Sequence, residues 1–179
     1  MVFETPVIET TRLLLRPPRV SDAPVIFASY AQDAEVTRYL TWRPHKSVAD
    51  TEAFLRECLN DAGRGTRFVW AITPRGGDDK LVGMIEARVA GHKAECGYVL
   101  ARAHWGRGVM SEALAAVVEF VMKLPGVYRV GAVCDVENRA SARVMEKAGM
   151  TYEGTLRRFI AHVNLGDEPR DVLCYAKTR

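Results

Sequence analysis

Two glycines ahead of a long apolar-patterned helix are the clearest chemical feature of the sequence. Gly106 and Gly108 lie in the loop that leads into a predicted helix beginning near Val109. Consecutive backbone N–H groups and the positive end of the helix dipole converge at such a loop, and this arrangement binds phosphate. Glycine also lets the backbone approach a bulky anion closely, while Arg102 and Arg107 add positive charge nearby. A tight turn before a helix has the same pattern, so the two glycines alone leave both interpretations open.

Two familiar phosphate-binding classes do not fit this loop. A P-loop has Lys followed by Ser or Thr after its last glycine, and Val109 and Met110 stand there instead. A dinucleotide-binding fingerprint has a third glycine, where this sequence has Ser111. The sequence therefore argues against a Walker-type ATPase and against a Rossmann dehydrogenase.

A serine on a second predicted helix is the other feature that suggests chemistry. Asn138 is a predicted N-cap, and Ser141 shares one helix face with Val144, Met145 and Ala148. Because that face packs on the sheet, the Ser141 hydroxyl is expected to point inward. Three interpretations are open for Ser141. Its hydroxyl can hydrogen-bond to a helix carbonyl, or the serine can occupy the N3 position that follows an Asn cap. The third interpretation is that the hydroxyl faces a reacting group.

The elements that must position these groups alternate between β and α patterns. Residues 12–16 predict a first strand, and residues 21–24 supply an N-cap and an early-turn proline for a first helix. Ser47 to Asp50 resembles a capping box that opens a second helix, which ends near Gly63. Further strands are predicted at 68–72, 81–89, 94–100, 128–134, 151–163 and 171–176, with turns at 76–79 and 90–93. Further helices are predicted at 110–122, ended by Pro125-Gly126, and at 138–148, with Gly149 as the C′ residue.

The order β-α-α-β-β-β-α-β-α-β-β predicts one α/β (α+β) domain over residues 1–179, without internal repeats. The net charge of +3 is too small to indicate a nucleic-acid-binding face.

The four cysteines have no C-x-x-C pair and no nearby His at ligand spacing, so no metal site is predicted. Isolated thiols of this kind favour a reducing, cytoplasmic location. The sequence has neither a signal-peptide pattern nor an apolar run of about 18 residues, so no membrane role is expected.

Several motifs together resemble the GNAT superfamily of N-acetyltransferases, in particular its ribosomal-protein N-terminal acetyltransferase-like branch. They are GYVL at 97–100 with WGRGVMSEAL at 105–114, N-x-x-S-x-x-VMEKAGM at 138–150, TTRLLLRPP at 10–18, and the closing segment 166–172. The family's phosphate-loop pattern, Gln/Arg-x-x-Gly-x-Gly/Ala, has Trp105 at its first position and Met110 at its last. Because the loop acts mainly through backbone N–H groups, these two departures leave its function intact.

The resemblance implies a fold and a cofactor. The fold would be a mixed, mostly antiparallel seven-stranded sheet with splayed central parallel strands, flanked by about four helices. Acetyl-coenzyme A, with no metal, would bind in the cleft between residues 96–100 and 130–134. The resemblance assigns the following residues to cofactor binding. The pantetheine would contact the backbone of Val99 and Leu100 and would be held by Asn138. The pyrophosphate would bind the backbone amides of Arg107, Gly108, Val109, Met110 and Ser111.

The chemistry implied is direct acyl transfer, in which a neutral amine attacks the thioester and a backbone N–H near Leu100 holds the oxyanion. Ser141 would face the sulfur and assist the leaving thiolate. Two residues are candidates for the base that takes the proton of the ammonium substrate: Glu86, in the strand at 81–89, and His162, in the penultimate strand. For each of these, an ordinary solvent-facing residue on a half-exposed strand is the favoured interpretation. His45 lies in a segment that would help to wall the acceptor site.

The expected partner is an amine acceptor, either a protein α-amino group or a small amine, and a homodimer is possible. The sequence does not distinguish transfer of acetyl from transfer of a larger acyl group, because the motifs would contact coenzyme A and not the acyl group that it carries. The alternative from another class is a non-catalytic acyl-coenzyme A sensor that keeps the phosphate loop without a productive base. A third interpretation, an Arg-rich nucleic-acid binder, predicts strongly salt-dependent affinity and is disfavoured by the balanced charge.

Overall fold

Within residues 5–62, 66–76 and 80–179, which the computed structural model describes, eight strands form one mixed sheet flanked by five α-helices. The strands are β1 (Ile8–Glu9), β2 (Leu13–Arg16), β3 (Arg67–Pro74), β4 (Gly83–Ala90), β5 (Lys93–Leu100), β6 (Arg129–Asp135), β7 (Thr151–Ile160) and β8 (Arg170–Thr178). The helices are α1 (Ala23–Ile26), α2 (Ala34–Thr37), α3 (Val48–Ala62), α4 (Val109–Met122) and α5 (Arg139–Lys147). Most of the predicted turn at 76–79 and the predicted helix end at Gly63 lie outside the described residues.

The strand order is β1-β2-β3-β4-β5-β6-β8-β7. β5 and β6 pair in parallel, and the pairings on either side of them are antiparallel. A parallel pair needs a crossover connection, which α4 supplies. The predicted mixed, mostly antiparallel sheet with central parallel strands is therefore confirmed.

The prediction of seven strands and about four helices is slightly wrong. The additional strand is β1, whose two residues pair with β2 and are too few to give an alternating pattern. The additional helix is α2, a single turn capped by Asp33, whose side chain accepts a hydrogen bond from the Glu35 N–H at 2.9 Å. β7 also ends at Ile160, three residues before the predicted end of the penultimate strand.

Apolar side chains form one core on each face of the sheet. Along β3, Trp70 and Ile72 pack toward α4 and α5, whereas Val69 and Ala71 pack toward α1 and α3. This follows from the alternation of side chains along a strand. The predicted apolar stripe of α4 is confirmed: its buried residues are Val109, Met110, Ala113, Leu114, Val117, Val118 and Val121. None of the described helices has the length and apolar character that crossing a lipid bilayer requires.

The predicted caps of α3 and α5 form as expected. At the start of α3, Asp50 N–H donates to Ser47 Oγ at 3.3 Å and Ser47 N–H donates to Asp50 Oδ2 at 3.0 Å, which completes the capping box. At the start of α5, Asn138 Oδ1 accepts from the Ser141 N–H at 3.1 Å. Gly149 follows α5 with φ of 79°, as a C′ glycine does.

Asp22, within the segment 21–24 that was predicted to supply an N-cap, lies at the N-cap position of α1, but its side chain makes no capping hydrogen bond to that helix. Its carboxylate binds the Arg16 guanidinium through two hydrogen bonds of 2.8 and 2.9 Å, and both side chains are buried. Burial acts to raise the pKa of Asp22, but the hydrogen bonds from Arg16 and from the Arg19 N–H outweigh it and hold the pKa below its usual value. The pair ties the end of β2 to the start of α1.

Replacing Asp22 by alanine is expected to lower the free energy of unfolding by about 3 to 5 kcal/mol, because the buried Arg16 guanidinium loses the two hydrogen bonds that the Asp22 carboxylate accepts. Urea unfolding at pH 7 measures this change. Glu119→Ala is the matched control, since it removes a carboxylate from an exposed ion pair with Lys123. A loss for Asp22→Ala no larger than that for the control would contradict the assignment.

Candidate active site

A gap opens between the two parallel strands at the centre of the sheet. β5 and β6 pair only through residues 93–95 and 129–131. Beyond that point β5 remains paired with β4 as far as Leu100, and β6 remains paired with β8 as far as Asp135. Beyond residues 95 and 131, the two strands therefore do not pair with each other. Backbone groups on the facing edges of residues 96–100 and 132–135 are available to a ligand that has amide groups of its own.

The direction of the backbone groups determines which of them face the gap. In an antiparallel ladder, successive residues turn their N–H and C=O groups to opposite neighbours. Ala101 N–H donates to Val82 O and Val89 N–H donates to Thr66 O, which sets the alternation along β4 and β5. The Val99 backbone consequently faces β4, and Leu100 faces the gap. Of the two predicted pantetheine contacts, Val99 turns its backbone away from the gap. At Leu100 the N–H is the group that faces the gap without a partner in the sheet, since the Leu100 oxygen accepts from Trp105 Nε1.

The loop after β5 leads into α4 as predicted. Gly106 and Gly108 adopt φ of 71° and 75°, in the left-handed region that favours glycine. Gly108 is the N-cap of α4, and the first intrahelical bond runs from the Glu112 N–H to Gly108 O. The amides of the first turn precede that bond and receive no side-chain cap, so they are donors for an anion. These amides belong to Val109, Met110 and Ser111.

Two side chains hold the loop in this shape. Trp105 Nε1 donates to Leu100 O at 2.8 Å, which fastens the loop to the end of β5. Arg12 Nη1 donates to Arg107 O at 3.1 Å, while Arg12 Nε is held by Glu112 Oε2 at 2.6 Å. Arg107 itself is exposed, and Arg102 pairs with Asp33 instead of adding charge at the loop.

Replacing Gly108 by alanine is expected to weaken coenzyme A binding at least tenfold. An L residue in this conformation costs roughly 1–2 kcal/mol, and the new Cβ would lie 3.4 Å from Arg12 Nη2. Isothermal titration calorimetry measures the Kd. Gly126→Ala is the control, because Gly126 has φ of 78° and open space around its Cβ position in the turn after α4. Equal effects of both substitutions would show that the loss reflects general instability.

Ser141 lies on the sheet-facing side of α5, as predicted. Its Oγ is 2.7 Å from the Tyr98 hydroxyl on β5. The Cys134 thiol lies near the Ser141 hydroxyl, and its pKa is raised to about 11, chiefly by burial. The Ser141 N–H donates to Asn138 Oδ1, so the capping role applies to the Ser141 backbone while its hydroxyl meets groups at the gap.

His162 is placed differently from the prediction. It lies after the end of β7, in the loop that joins β7 to β8, and it is 3% exposed. Neither ring nitrogen makes a well-formed hydrogen bond to a described residue, and Nε2 lies 3.6 Å from Asp135 Oδ2. The solvent-facing alternative for His162 is therefore wrong. Burial lowers the pKa of His162, against the opposing effects of the Asp135 carboxylate and the Tyr39 backbone.

Asp135 is the buried anion next to His162. Arg170 Nε donates to its Oδ2 at 2.6 Å, and the Glu137 N–H donates to its Oδ1 at 2.9 Å. Burial acts to raise the pKa of Asp135, but these hydrogen bonds outweigh it and hold the pKa below its usual value. Asp135 is therefore charged at neutral pH and fixed in orientation.

The loop between β7 and β8 also contacts the segment around α2. Asn164 Nδ2 donates to the carbonyls of Thr37 and Trp42, both at 2.8 Å. Trp42, in turn, packs against the His45 ring with centroids 5.0 Å apart. The segment expected to wall the acceptor site thus lies on the same side of the sheet as His162.

Glu86, the other candidate base, is held in an ion-pair network. Arg67 contacts its Oε2 at 2.6 Å, and Arg88 contacts its Oε1 at 2.9 Å. Arg67 also bonds to Asp61 on α3 at 2.9 Å. Both carboxylate oxygens are therefore engaged by guanidinium groups, an arrangement that joins the sheet to α3.

Tyr98 and Asp135 are functional candidates that sequence reasoning missed. Side chains alternate along a strand, so Tyr98 lies on the same face of β5 as Cys96 and Leu100, toward α5. The direction of the Tyr98 side chain could therefore have been predicted from the sequence. Its contact with Ser141 joins positions 43 residues apart, which no local pattern reveals. Among the described residues, no cluster of three or more His, Cys, Asp or Glu side chains is arranged to hold a metal ion.

Comparisons with known proteins identify the family. Residues 12–151 match the Acetyltransferase (GNAT) domain family. The chain is 36% identical over 161 residues to the uncharacterized N-acetyltransferase YoaA of Bacillus subtilis, covering 87% of this chain and 88% of that protein. A GNAT-family acetyltransferase from Bacillus anthracis superposes with a TM-score of 0.82 at 29% identity, covering 97% and 98% of the two chains.

A further solved structure shares the fold. RimL, a ribosomal L7/L12 α-N-protein acetyltransferase in complex with coenzyme A, superposes with a TM-score of 0.84 at 23% identity, covering 97% and 98% of the two chains. The resemblance found in the sequence motifs is thus confirmed by the family match and by similarity along nearly the whole chain. The chain belongs to the GNAT family and is an N-acetyltransferase that uses acetyl-CoA.

Proposed function

We propose that this enzyme acetylates the α-amino group of a protein or peptide by direct attack on acetyl-CoA at the gap between β5 and β6. One observation carries the proposal. Cys134 and Asp135 are consecutive residues of β6, so their side chains point to opposite faces of the sheet. Cys134 meets Ser141 on the α5 face, and Asp135 meets His162 on the face of α1 to α3. A thioester between the strands would have its sulfur beside Ser141 and its carbonyl accessible from the side of His162.

The amides of α4 would hold the donor. The pyrophosphate would sit on the N–H groups of Gly108 to Ser111, and the pantetheine amides would pair with the Leu100 edge of β5. Asn138 Oδ1 is occupied by the cap, which leaves the side-chain NH2 of Asn138 to meet a pantetheine carbonyl. Acetyl-CoA supplies an activated acyl group whose thiolate leaves readily.

His162 and Ser141 would serve the two sides of the reaction. His162 takes a proton from the substrate ammonium, directly or through water, and the freed lone pair forms a C–N bond with the carbonyl carbon. A backbone N–H on the gap-facing edge of β5 near Leu100 stabilises the oxyanion. The C–S bond then breaks with its electron pair on sulfur, and Ser141 donates a hydrogen bond to the thiolate. The second proton that the attacking nitrogen loses as the amide forms passes to water. Asp135 orients His162.

Glu86 receives a structural role in this proposal, because two guanidinium groups occupy its oxygens. The acceptor class is supported by the relative that acts on ribosomal L7/L12. The donor and a ribosomal acceptor both favour a cytoplasmic location. We also propose that residues 1–179 form one domain, since β8, beyond the family match, lies inside the sheet between β6 and β7.

The test is a turnover assay in which release of free coenzyme A thiol is followed colorimetrically. A peptide with a free α-amine should release thiol, and the same peptide blocked at its N-terminus but containing lysine should not. Polyamines and amino acids complete the panel. Turnover on small amines alone would overturn the protein acceptor, and binding of acetyl-CoA with no turnover on any amine would favour the sensor.

A further inference from the structure

The Tyr98 side chain reaches across the gap between the parted strands. β5 and β6 separate after Glu95 and Gly131, three residues before Tyr98 on its strand. The Tyr98 hydroxyl nevertheless lies 2.7 Å from Ser141 Oγ, on the helix that follows β6. The hydrogen bond therefore joins the two sides of the gap beside the proposed position of the sulfur.

The Tyr98 hydroxyl has a second acceptor within reach. The Tyr98 hydroxyl also lies 3.3 Å from the carbonyl oxygen of Ser141, which can only accept. Either hydroxyl can donate in the 2.7 Å contact, because each has one hydrogen and free lone pairs. When the Tyr98 hydrogen lies in that shorter contact, Oγ of Ser141 accepts and its own hydrogen is left for a third group. A neighbouring group on β6 is the Cys134 thiol, which is only a weak hydrogen-bond partner.

Both neighbours of Ser141 remain protonated at neutral pH. Burial raises the pKa of Tyr98 above its usual value, and it also raises that of the Cys134 thiol to about 11. The phenol is therefore a permanent donor. The thiol does not compete as an anion for the Ser141 hydrogen, which a developing thiolate on the substrate would attract more strongly.

We propose that Tyr98 is a positioning residue that donates to Ser141 and so directs the Ser141 hydroxyl hydrogen at the leaving sulfur. The inference rests on the proposed function, because it requires the sulfur of acetyl-CoA to lie beside Ser141. Tyr98 itself does not touch the reacting atoms in this arrangement. Its effect reaches the reaction only through Ser141, which makes it separable from a role in folding.

The test is a double-mutant cycle with Tyr98→Phe and Ser141→Ala. In the wild-type background Tyr98→Phe should lower kcat about tenfold, the effect of one hydrogen bond, with the KM for acetyl-CoA changed less than twofold. In the Ser141→Ala background it should have no further effect. Tyr152→Phe is the control, since the Tyr152 hydroxyl bonds to Thr155 on the exposed strand β7.

A second variant with 4-aminophenylalanine at position 98 keeps an N–H donor at the same ring position and should restore most of the lost kcat. An unchanged kcat in Tyr98→Phe, equal losses in both backgrounds, or no rescue by the amino analogue overturns the role of Tyr98. Wild-type turnover is measured first: if no amine is acetylated, the proposed function fails independently of Tyr98. Activity in wild type with a normal rate for Ser141→Ala refutes the sulfur placement.

Discussion

Replacing Ser141 by alanine is expected to lower kcat roughly 100-fold while leaving coenzyme A affinity nearly unchanged. A group that assists a leaving atom in the transition state contributes about 10²-fold or more, and its loss appears in kcat. The Ser141 hydroxyl is not needed for the cap of α5, because the Ser141 N–H donates to Asn138. The helix should therefore form normally in the variant, and only the reaction at the sulfur should suffer.

Steady-state kinetics with the best acceptor peptide, together with calorimetric titration of coenzyme A, separate the two effects. Ser21→Ala is a matched control, because Ser21 is exposed and lies at the start of the first helical segment. Full activity of Ser141→Ala would remove this serine from the mechanism. A coenzyme A affinity that falls as much as kcat would assign Ser141 to binding instead.

Local patterns predict the donor half of the site well. The glycines, the apolar stripe of α4 and the Asn138 cap each depend on residues a few positions apart. In the proposed function backbone N–H groups bind the donor, and their position follows from where a helix begins, which sequence signals report. The gap between β5 and β6 was predicted only through the resemblance to the family, since no local pattern shows where two paired strands separate.

The acceptor half depends on contacts between distant positions, and there the sequence was less informative. His162 is buried because its loop packs against the segment around α2, more than a hundred residues earlier in the chain. Asp135 receives its partner from position 170 on a neighbouring strand. Glu86 has the type and strand position of a base, but Arg67 and Arg88 come together around it only in the folded sheet.

Replacing His162 by glutamine is expected to lower kcat/KM about 100-fold at pH 7, with a deficit that shrinks as the pH rises. An α-amine has a pKa of about 7.7 to 8.0, so most of the substrate is ammonium at pH 7 and needs a base. At pH 9 the amine is already neutral and the base matters less. Because burial lowers the pKa of His162, the wild-type histidine is neutral and able to accept a proton throughout this range.

The measurement compares kcat/KM for wild type and His162→Gln between pH 7 and 9, with His92→Gln, an exposed histidine, as the control. The comparison does not extend below pH 7, because the burial of His162 also makes the folded protein less stable at lower pH. The unfolded chain binds a proton at His162 near pH 6.5, whereas the folded chain resists it, so stability is lost as the pH falls below about 6.5. His45, whose pKa is also lowered by burial, adds to this loss. A deficit of constant size from pH 7 to 9 would assign His162 to holding the loop between β7 and β8, since packing does not depend on the protonation of the substrate.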